Sequence, residues 1–129
     1  MRIEDATSEK CGALAAIGQA LSDPIRVEML GMMAEGRACC ELPDLGAPVD
    51  TAPADDPGIC VCEFMEYFEM GQSRVSYHLR KLREAGLVRE ERRGKWSFYS
   101  LDREAARRTL ALLAGHLNVQ VEKPVDIAH

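Results

Sequence analysis

The chain has 129 residues, 47% of them hydrophobic, and a formal net charge of −5, which is enough for one domain with a real core and little more. The first ten residues hold no apolar signal core and no apolar run reaches membrane-spanning length, which excludes a membrane-spanning helix and predicts a cytoplasmic protein. Five cysteines, an odd number, read in a reducing compartment as ligands or redox groups rather than as a disulfide framework.

Residues 7–21 read as a helix with Leu14, Ile17, Gly18 and Leu21 on one face, and its small residues (Gly12, Ala13, Ala15, Ala16) permit close approach of a second helix. It is expected to be a packing or dimer helix. Ser22-Asp23-Pro24 starts the next helix, with Asp23 as cap and Pro24 preset for the first helical position, ahead of Ile25, Met29, Met32 and Met33. Gly36 is expected to end it. Methionines at helical spacing read as core filling rather than as a soft-metal site. Residues 41–59 are an acidic, proline-rich loop, and no basic residue occurs from Cys39 through Met70. Its carboxylates lack the regular spacing and glycine of a calcium loop, so they read as solvation. Cysteines flank this loop as Cys39-Cys40 and Cys60-Val61-Cys62.

Residues 61–85 carry two apolar stripes. Val61, Phe64, Met65 and Phe68 recur at i, i+3, i+4, i+7, and after a turn at Met70-Gly71-Gln72 a second stripe follows with Val75, Leu79 and Leu82. This is helix-turn-helix spacing, with Gly86 as the left-handed stop of the second helix. Residues 87–101 read as a β-hairpin that turns at Arg93-Gly94, a wing. Between Gln72 and Lys95 there are eight basic residues against three acidic ones. An acidic chain that gathers its positive charge on one motif steers phosphate to that motif, so the expected partner is double-stranded DNA. The candidate contacts are Gln72, Ser73, Arg74, Ser76, Tyr77, His78, Arg80 and Lys81 on the second helix, and Arg92, Arg93 and Lys95 on the wing. His78 has no cysteine or histidine at ligand spacing on its helix, and a structural or hydrogen-bonding role suits it better than metal binding.

Residues 102–118 form a last helix capped by Asp102, whose stripe Ala106, Leu110, Leu113 and Leu117 has too little partner surface in a small domain and is expected to pair across a dimer. The tail from Val119, with Pro124, shows no period. The fold class is therefore mainly α with a small β-hairpin, a winged helix-turn-helix.

The order of these parts, with Ser22-Asp23-Pro24-Ile25-Arg26, Gly58-Ile59-Cys60-Val61-Cys62-Glu63-Phe64, Val75-Ser76-Tyr77-His78-Leu79 and Ala85-Gly86-Leu87-Val88, resembles the ArsR/SmtB family of metal-sensing winged-helix repressors over roughly residues 10–118. The Cys60-Val61-Cys62 segment is similar to the family's Cys-Val-Cys-Asp-Leu metal-binding box. The resemblance implies a homodimer that sits on an operator and leaves it when a thiophilic metal or metalloid binds. Two departures stand out. Where the arsenic-sensing arrangement has a third cysteine this chain has Met65, read as core, so the third thiolate comes from elsewhere: Cys39 or Cys40 by chain logic, or Cys11, as in the cadmium and lead sensors. The family's last-helix site needs paired histidines and carboxylates, whereas this chain offers only Asp102 and His116 at opposite ends.

Thiolate sulfur suits soft ions, and As(III) or Sb(III) prefers three sulfurs, so the expected inducer is As(III) or Sb(III) on Cys60, Cys62 and one of Cys39/Cys40. On a regular helix Cys60 and Cys62 lie about 200° apart, so bidentate capture is expected to compete with helix at that turn. The alternatives are a repressor switched by a disulfide or persulfide, and a cadmium, lead or mercury sensor. A thiol enzyme is disfavoured because no cysteine has a histidine-plus-orienter pattern and no Gly-rich phosphate loop occurs.

Overall fold

The computed structural model describes residues 5–35 and 58–121, with side chains from residue 9 onward. Cys39, Cys40, Gly36 and all of the predicted acidic loop except its last two residues lie outside the described residues, as does the tail from residue 122. The elements run α1 (Asp5–Ala20), α2 (Pro24–Glu35), β1 (Ile59–Cys60), α3 (Val61–Phe68), α4 (Gln72–Glu84), β2 (Val88–Arg93), β3 (Trp96–Leu101) and α5 (Arg103–Leu117). Among the described residues the architecture is a winged helix-turn-helix, five helices with a small antiparallel sheet.

Local chemistry explains most of the boundaries. The Asp23 carboxylate accepts the Ile25 amide at 2.8 Å, and Pro24 opens α2, as the sequence predicts. Asp102 accepts the Ala105 amide at 3.0 Å and starts α5. Gly86, at φ +82°, closes α4: its amide donates to the Arg83 carbonyl at 2.9 Å and the Leu87 amide to the Leu82 carbonyl at 3.1 Å. That pair of bonds is a Schellman stop, which swings the chain directly into β2.

The core gathers Met29, Met32 and Met33 of α2, Phe64 of α3, Val75, Leu79 and Leu82 of α4, Leu87, and Val88 and Tyr99 of the hairpin. The methionines are core, as their spacing indicates. Phe64, Val75, Leu79 and Leu82 are completely enclosed, so α3 and α4 share one apolar seam.

Three features differ from the sequence reading. The hairpin turn is Gly94-Lys95 rather than Arg93-Gly94: Arg93 ends β2 opposite Trp96, and Gly94 takes φ +67°. The helix-turn-helix turn runs over residues 69–71, with Glu69 itself left-handed at φ 53° and Gly71 capping α4. The third difference is a strand. Ile59 and Cys60 pair antiparallel with Tyr99 and Phe98, so the sheet has three strands in the order β1-β3-β2. The end of the predicted loop is thus a buried sheet edge. Gly58 makes it feasible, because its φ is +88° and a Cβ there would lie 3.1 Å from the Phe98 Cβ and 3.3 Å from the Tyr99 carbonyl oxygen.

Candidate nucleic-acid interface and thiol site

The exposed face of α4 is built by default from what its buried face leaves over. With Val75, His78, Leu79 and Leu82 turned inward, the residues Gln72, Ser73, Arg74, Tyr77 and Arg80 are exposed, with Ser76 and Lys81 half-buried beside them. Tyr77 is 44% exposed, and the Arg80 guanidinium and Lys81 ammonium lie 5.7 and 5.4 Å from its ring centroid. Such cation–π contacts hold both charges against the helix surface. No side chain caps the N-terminus of α4, so its first amides are available to an oxygen acceptor such as phosphate.

Not all of the local positive charge faces outward. Arg80 pairs with Glu84 at 3.8 Å, Arg83 with Glu90, and Arg93 with Glu91 at 3.2 Å. The Arg83–Glu90 pair ties the last turn of α4 to the wing, and Ser97 Oγ donates to the same carboxylate at 2.9 Å. Arg93 lies over the Phe98 ring at 4.2 Å and is anchored to the wing rather than projecting from it. Arg74, Arg89, Arg92 and Lys95 are exposed and form no ion pair among the described residues. They make up most of the cationic surface.

His78 has a different place from the other candidate contacts. It is buried, and the Arg26 Nη1 donates to its Nδ1 at 3.0 Å. Arginine cannot accept, so Nδ1 is unprotonated and the neutral ring carries its hydrogen on Nε2. Burial, first, holds the His78 pKa below its ordinary value; Asp23 opposes this, while Arg26 and Arg74 add to it. Arg26 is buried too. Its Nε donates to the Ala20 carbonyl at 2.7 Å and its Nη2 to the Gln19 carbonyl at 3.3 Å, a cation at the C-terminal end of α1. Sequence reading missed this joint between α1, α2 and α4. The signal was present: Arg26, Met29 and Met33 recur at i, i+3, i+7, so the arginine shares the buried face of α2.

The Cys-Val-Cys segment sits where β1 becomes α3. Cys60 is the N-cap of α3, with extended dihedrals (φ −85°, ψ 162°), and Cys62 is the second helical residue. Their Cα atoms are 5.4 Å apart and their sulfurs are joined as a disulfide. This corrects the expectation that bidentate capture competes with helix: Cys60 lies outside the helix, so both sulfurs converge with α3 intact. Cys60 is 2% exposed, whereas Cys62 is half-buried. Cys60 also faces Phe98 across the sheet, which fixes it to the wing strand.

Met65, three residues after Cys62, is half-buried, and both line a cavity of about 410 Å³ between α3, α4 and the wing. Cys11 is a half-buried free thiol on α1, an element that packs on α5. Cys39 and Cys40 are outside the described residues, so the structure brings together two of the five predicted ligands. His116 is exposed in the last turn of α5 and Asp102 is its cap. No cluster of three or more histidine, cysteine, aspartate or glutamate side chains that could hold a metal occurs among the described residues. None of the described helices is long and apolar enough to cross a membrane.

These elements define a winged helix-turn-helix protein with a paired-sulfur site at the start of its first helix-turn-helix helix. The pattern described as "Bacterial regulatory protein, arsR family" matches residues 55–90. The chain is 34% identical over 88 residues to the HTH-type transcriptional regulator YbzH of Bacillus subtilis, which spans 67% of this chain and 81% of that protein. It is also 34% identical over 83 residues to the arsenic resistance transcriptional regulator ArsR1 of Pseudomonas putida, spanning 64% of this chain and 65%, less than two thirds, of that relative. The chain belongs to the ArsR family. Its fold matches the homodimeric winged helix-turn-helix DNA-binding domain Mb0332 of Mycobacterium bovis with a TM-score of 0.59 at 20% identity, covering 99% of each chain. Relatives and fold neighbours are regulators, not enzymes.

Proposed function

We propose that the protein is a cytoplasmic transcriptional repressor that binds operator DNA as a homodimer and releases it when As(III) or Sb(III) is captured by Cys60, Cys62 and one of Cys39/Cys40. The observation that carries this reading is the convergence of the Cys60 and Cys62 sulfurs at the junction between the wing sheet and the helix-turn-helix. In the dithiol form these sulfurs lose their protons to become thiolates and offer a soft chelate. A third sulfur drawn to that chelate pulls on β1 and α3, and through the seam of Phe64 with Val75 and Leu79 on α4. A coupling of about 1–3 kcal/mol, roughly 5–150-fold in affinity, is the ordinary range for such linkage.

The surface distribution of charge supports the DNA half of the reading. The α4 face with Gln72, Ser73, Arg74, Ser76 and Tyr77 is the reading surface, and Arg92 and Lys95 meet phosphate from the wing. A dimer places two such helices in successive major grooves of an inverted repeat, about one helical turn apart. Leu110, Leu113 and Leu117 are 54%, 41% and 58% exposed on one stripe of α5, the apolar face that a second copy covers.

The test is operator binding by fluorescence anisotropy, on an inverted-repeat duplex selected in vitro, under strong reductant. Arg74→Ala is expected to lose sequence preference, while Lys95→Ala weakens specific and random duplexes alike and lowers the salt dependence. Cys60→Ser and Cys62→Ser are expected to bind but not release with As(III). Equal loss on operator and random DNA in every variant counts against base reading by α4.

The joined sulfurs favour a second reading, a redox switch in which peroxide converts the Cys60/Cys62 dithiol to the disulfide and is itself reduced to two waters. Release by peroxide without metalloid, reversed by a dithiol reductant and absent in Cys62→Ser, distinguishes it.

A further inference from the structure

We propose that the cavity between α1, the start of α2 and α4 is a second effector site, separate from the cysteine pair, which takes a small organic monocarboxylate and weakens operator binding when filled. The cavity measures about 360 Å³ and is lined by Arg26, by Tyr77 and Lys81 of α4 and by Ala16 and Ala20 of α1.

Arg26 carries the argument. It is a cation only 8% exposed, yet its partners are the Ala20 and Gln19 carbonyls and the neutral His78 ring. No carboxylate pairs with it among the described residues. The end of α1 offers it about half a negative charge through the helix dipole, whereas buried charges are ordinarily paired, because a lone ion loses its hydration without compensation. Its guanidinium also carries more N–H donors than these contacts use, a planar set of the kind that binds carboxylate. Lys81 is the second cation. It is half-buried 5.4 Å from the Tyr77 ring centroid and forms no ion pair among the described residues. Glu84 also lines the cavity, but it is exposed and pairs with Arg80 at 3.8 Å. Arg26 and Lys81 against Glu84 leave one positive charge to balance, which selects a singly charged anion.

The other walls define the body of that anion. Ala16, Ala20, Ala85 and the Tyr77 ring are apolar, and a space of about 150 Å³ holds a benzene ring, so a carboxylate on an aryl or short aliphatic group fits. A concave seat with a buried cation suits a small molecule better than the rod of a duplex.

The site reaches the operator through α4. Tyr77 and Lys81 belong to the proposed DNA face, so a bound carboxylate neutralises Lys81 and draws it from phosphate. By linkage, operator and carboxylate lower each other's affinity by the same factor. This coupling rests on the DNA half of the proposed function, while carboxylate binding does not.

The experiment uses the reduced full-length protein and para-fluorobenzoate, followed by its own fluorine NMR signal. Saturable binding is expected at about millimolar concentration or below. It should be at least about fivefold weaker in Lys81→Gln and in Ala16→Phe, which fills the cavity from an exposed position of α1. Neither change touches the enclosed core, and circular dichroism checks that both variants fold. Para-fluorobenzamide, of the same shape without the charge, should bind at least about tenfold more weakly. Benzoate should lower operator affinity at least about threefold relative to the same concentration of chloride, which removes the effect of salt screening, and Ala16→Phe should lose that response. Equal binding of the benzamide, or native binding by both variants, overturns the site. Displacement of para-fluorobenzoate by less inorganic phosphate than benzoate overturns the carboxylate assignment and makes the cavity a seat for operator phosphate. Carboxylate binding with unchanged operator affinity overturns the effector role. Native protein that binds no duplex overturns the DNA reading and that role with it, while the fluorine signal still decides the site.

Discussion

Replacing Arg26 by methionine tests a buried cation that joins three helices. Methionine keeps the aliphatic volume and removes all the donors, leaving the Ala20 carbonyl and His78 Nδ1 without the bonds now made at 2.7 and 3.0 Å. The Gln19 carbonyl, at 3.3 Å in a part-buried position, can turn to water and counts for little. Two buried acceptors left unpaired cost about 1–3 kcal/mol each, or about 2–6 kcal/mol together. Against a typical stability of about 5–15 kcal/mol the variant should fold but be marginal. Urea unfolding at fixed protein concentration measures it, the concentration being held because association of two chains adds to apparent stability. The double variant Arg26→Met/His78→Leu removes one orphaned acceptor, and should be less destabilised than the sum of the single changes by about 1–3 kcal/mol. Additivity within about 0.5 kcal/mol would refute the assigned bond.

The lowered pKa of His78 means that the unfolded chain binds its proton more readily than the native one. Stability from this group is therefore fully present above the unfolded value of about 6.5 and lost as pH falls toward the folded value, by at most about 1.4 kcal/mol per pH unit. His78→Asn, which keeps an acceptor near Nδ1 but cannot titrate, should flatten the urea midpoint between pH 7.5 and 5.5; an unchanged slope argues against it. Gly58→Ala puts a Cβ 3.1 Å from the Phe98 Cβ at φ +88°, and a loss of about 1–3 kcal/mol in urea unfolding is expected. No loss would mean that β1 is not held against β3 as described. Leu113→Asp should shift sedimentation toward monomer while leaving the helical circular dichroism unchanged, since Leu113 is 41% exposed; an unaltered dimer removes the α5 stripe from the interface.

Amphipathic spacing made α3 and α4 legible, because Phe64, Val75, Leu79 and Leu82 repeat with the helical period and a single core receives them all. Caps were equally readable: Asp23, Asp102 and Gly86 act through their own backbones, so a local sequence suffices. The strand β1 was not legible, since two residues have no period and Ile59-Cys60 becomes a strand only through distant pairing with Phe98 and Tyr99. The thiol geometry turns on the same junction: with the helix starting at Val61, Cys60 lies in extended backbone just outside it, and only the pairing of β1 with β3 shows that its sulfur meets that of Cys62 with α3 intact. His78 and Arg26 are each polar residues on an apolar face. Composition alone cannot tell an outward charge from an inward one that finds its partner 52 residues away. The hairpin turn slipped by one position because Arg93-Gly94 and Gly94-Lys95 are both acceptable turn pairs, and cross-strand register with Trp96 decides between them.

The central claim is that sulfur capture and operator release are one event. It is tested most directly by titrating As(III) into the reduced protein on fluorescent operator duplex while recording sulfur-to-arsenic absorption in the ultraviolet and anisotropy from the same cuvette. The account predicts that the two signals advance together to one arsenic per site, and that Cys60→Ser and Cys62→Ser bind the duplex with native affinity while showing neither signal. Release of the duplex from either variant at native As(III) concentrations, or full sulfur-to-arsenic absorption with the operator still bound, would contradict it.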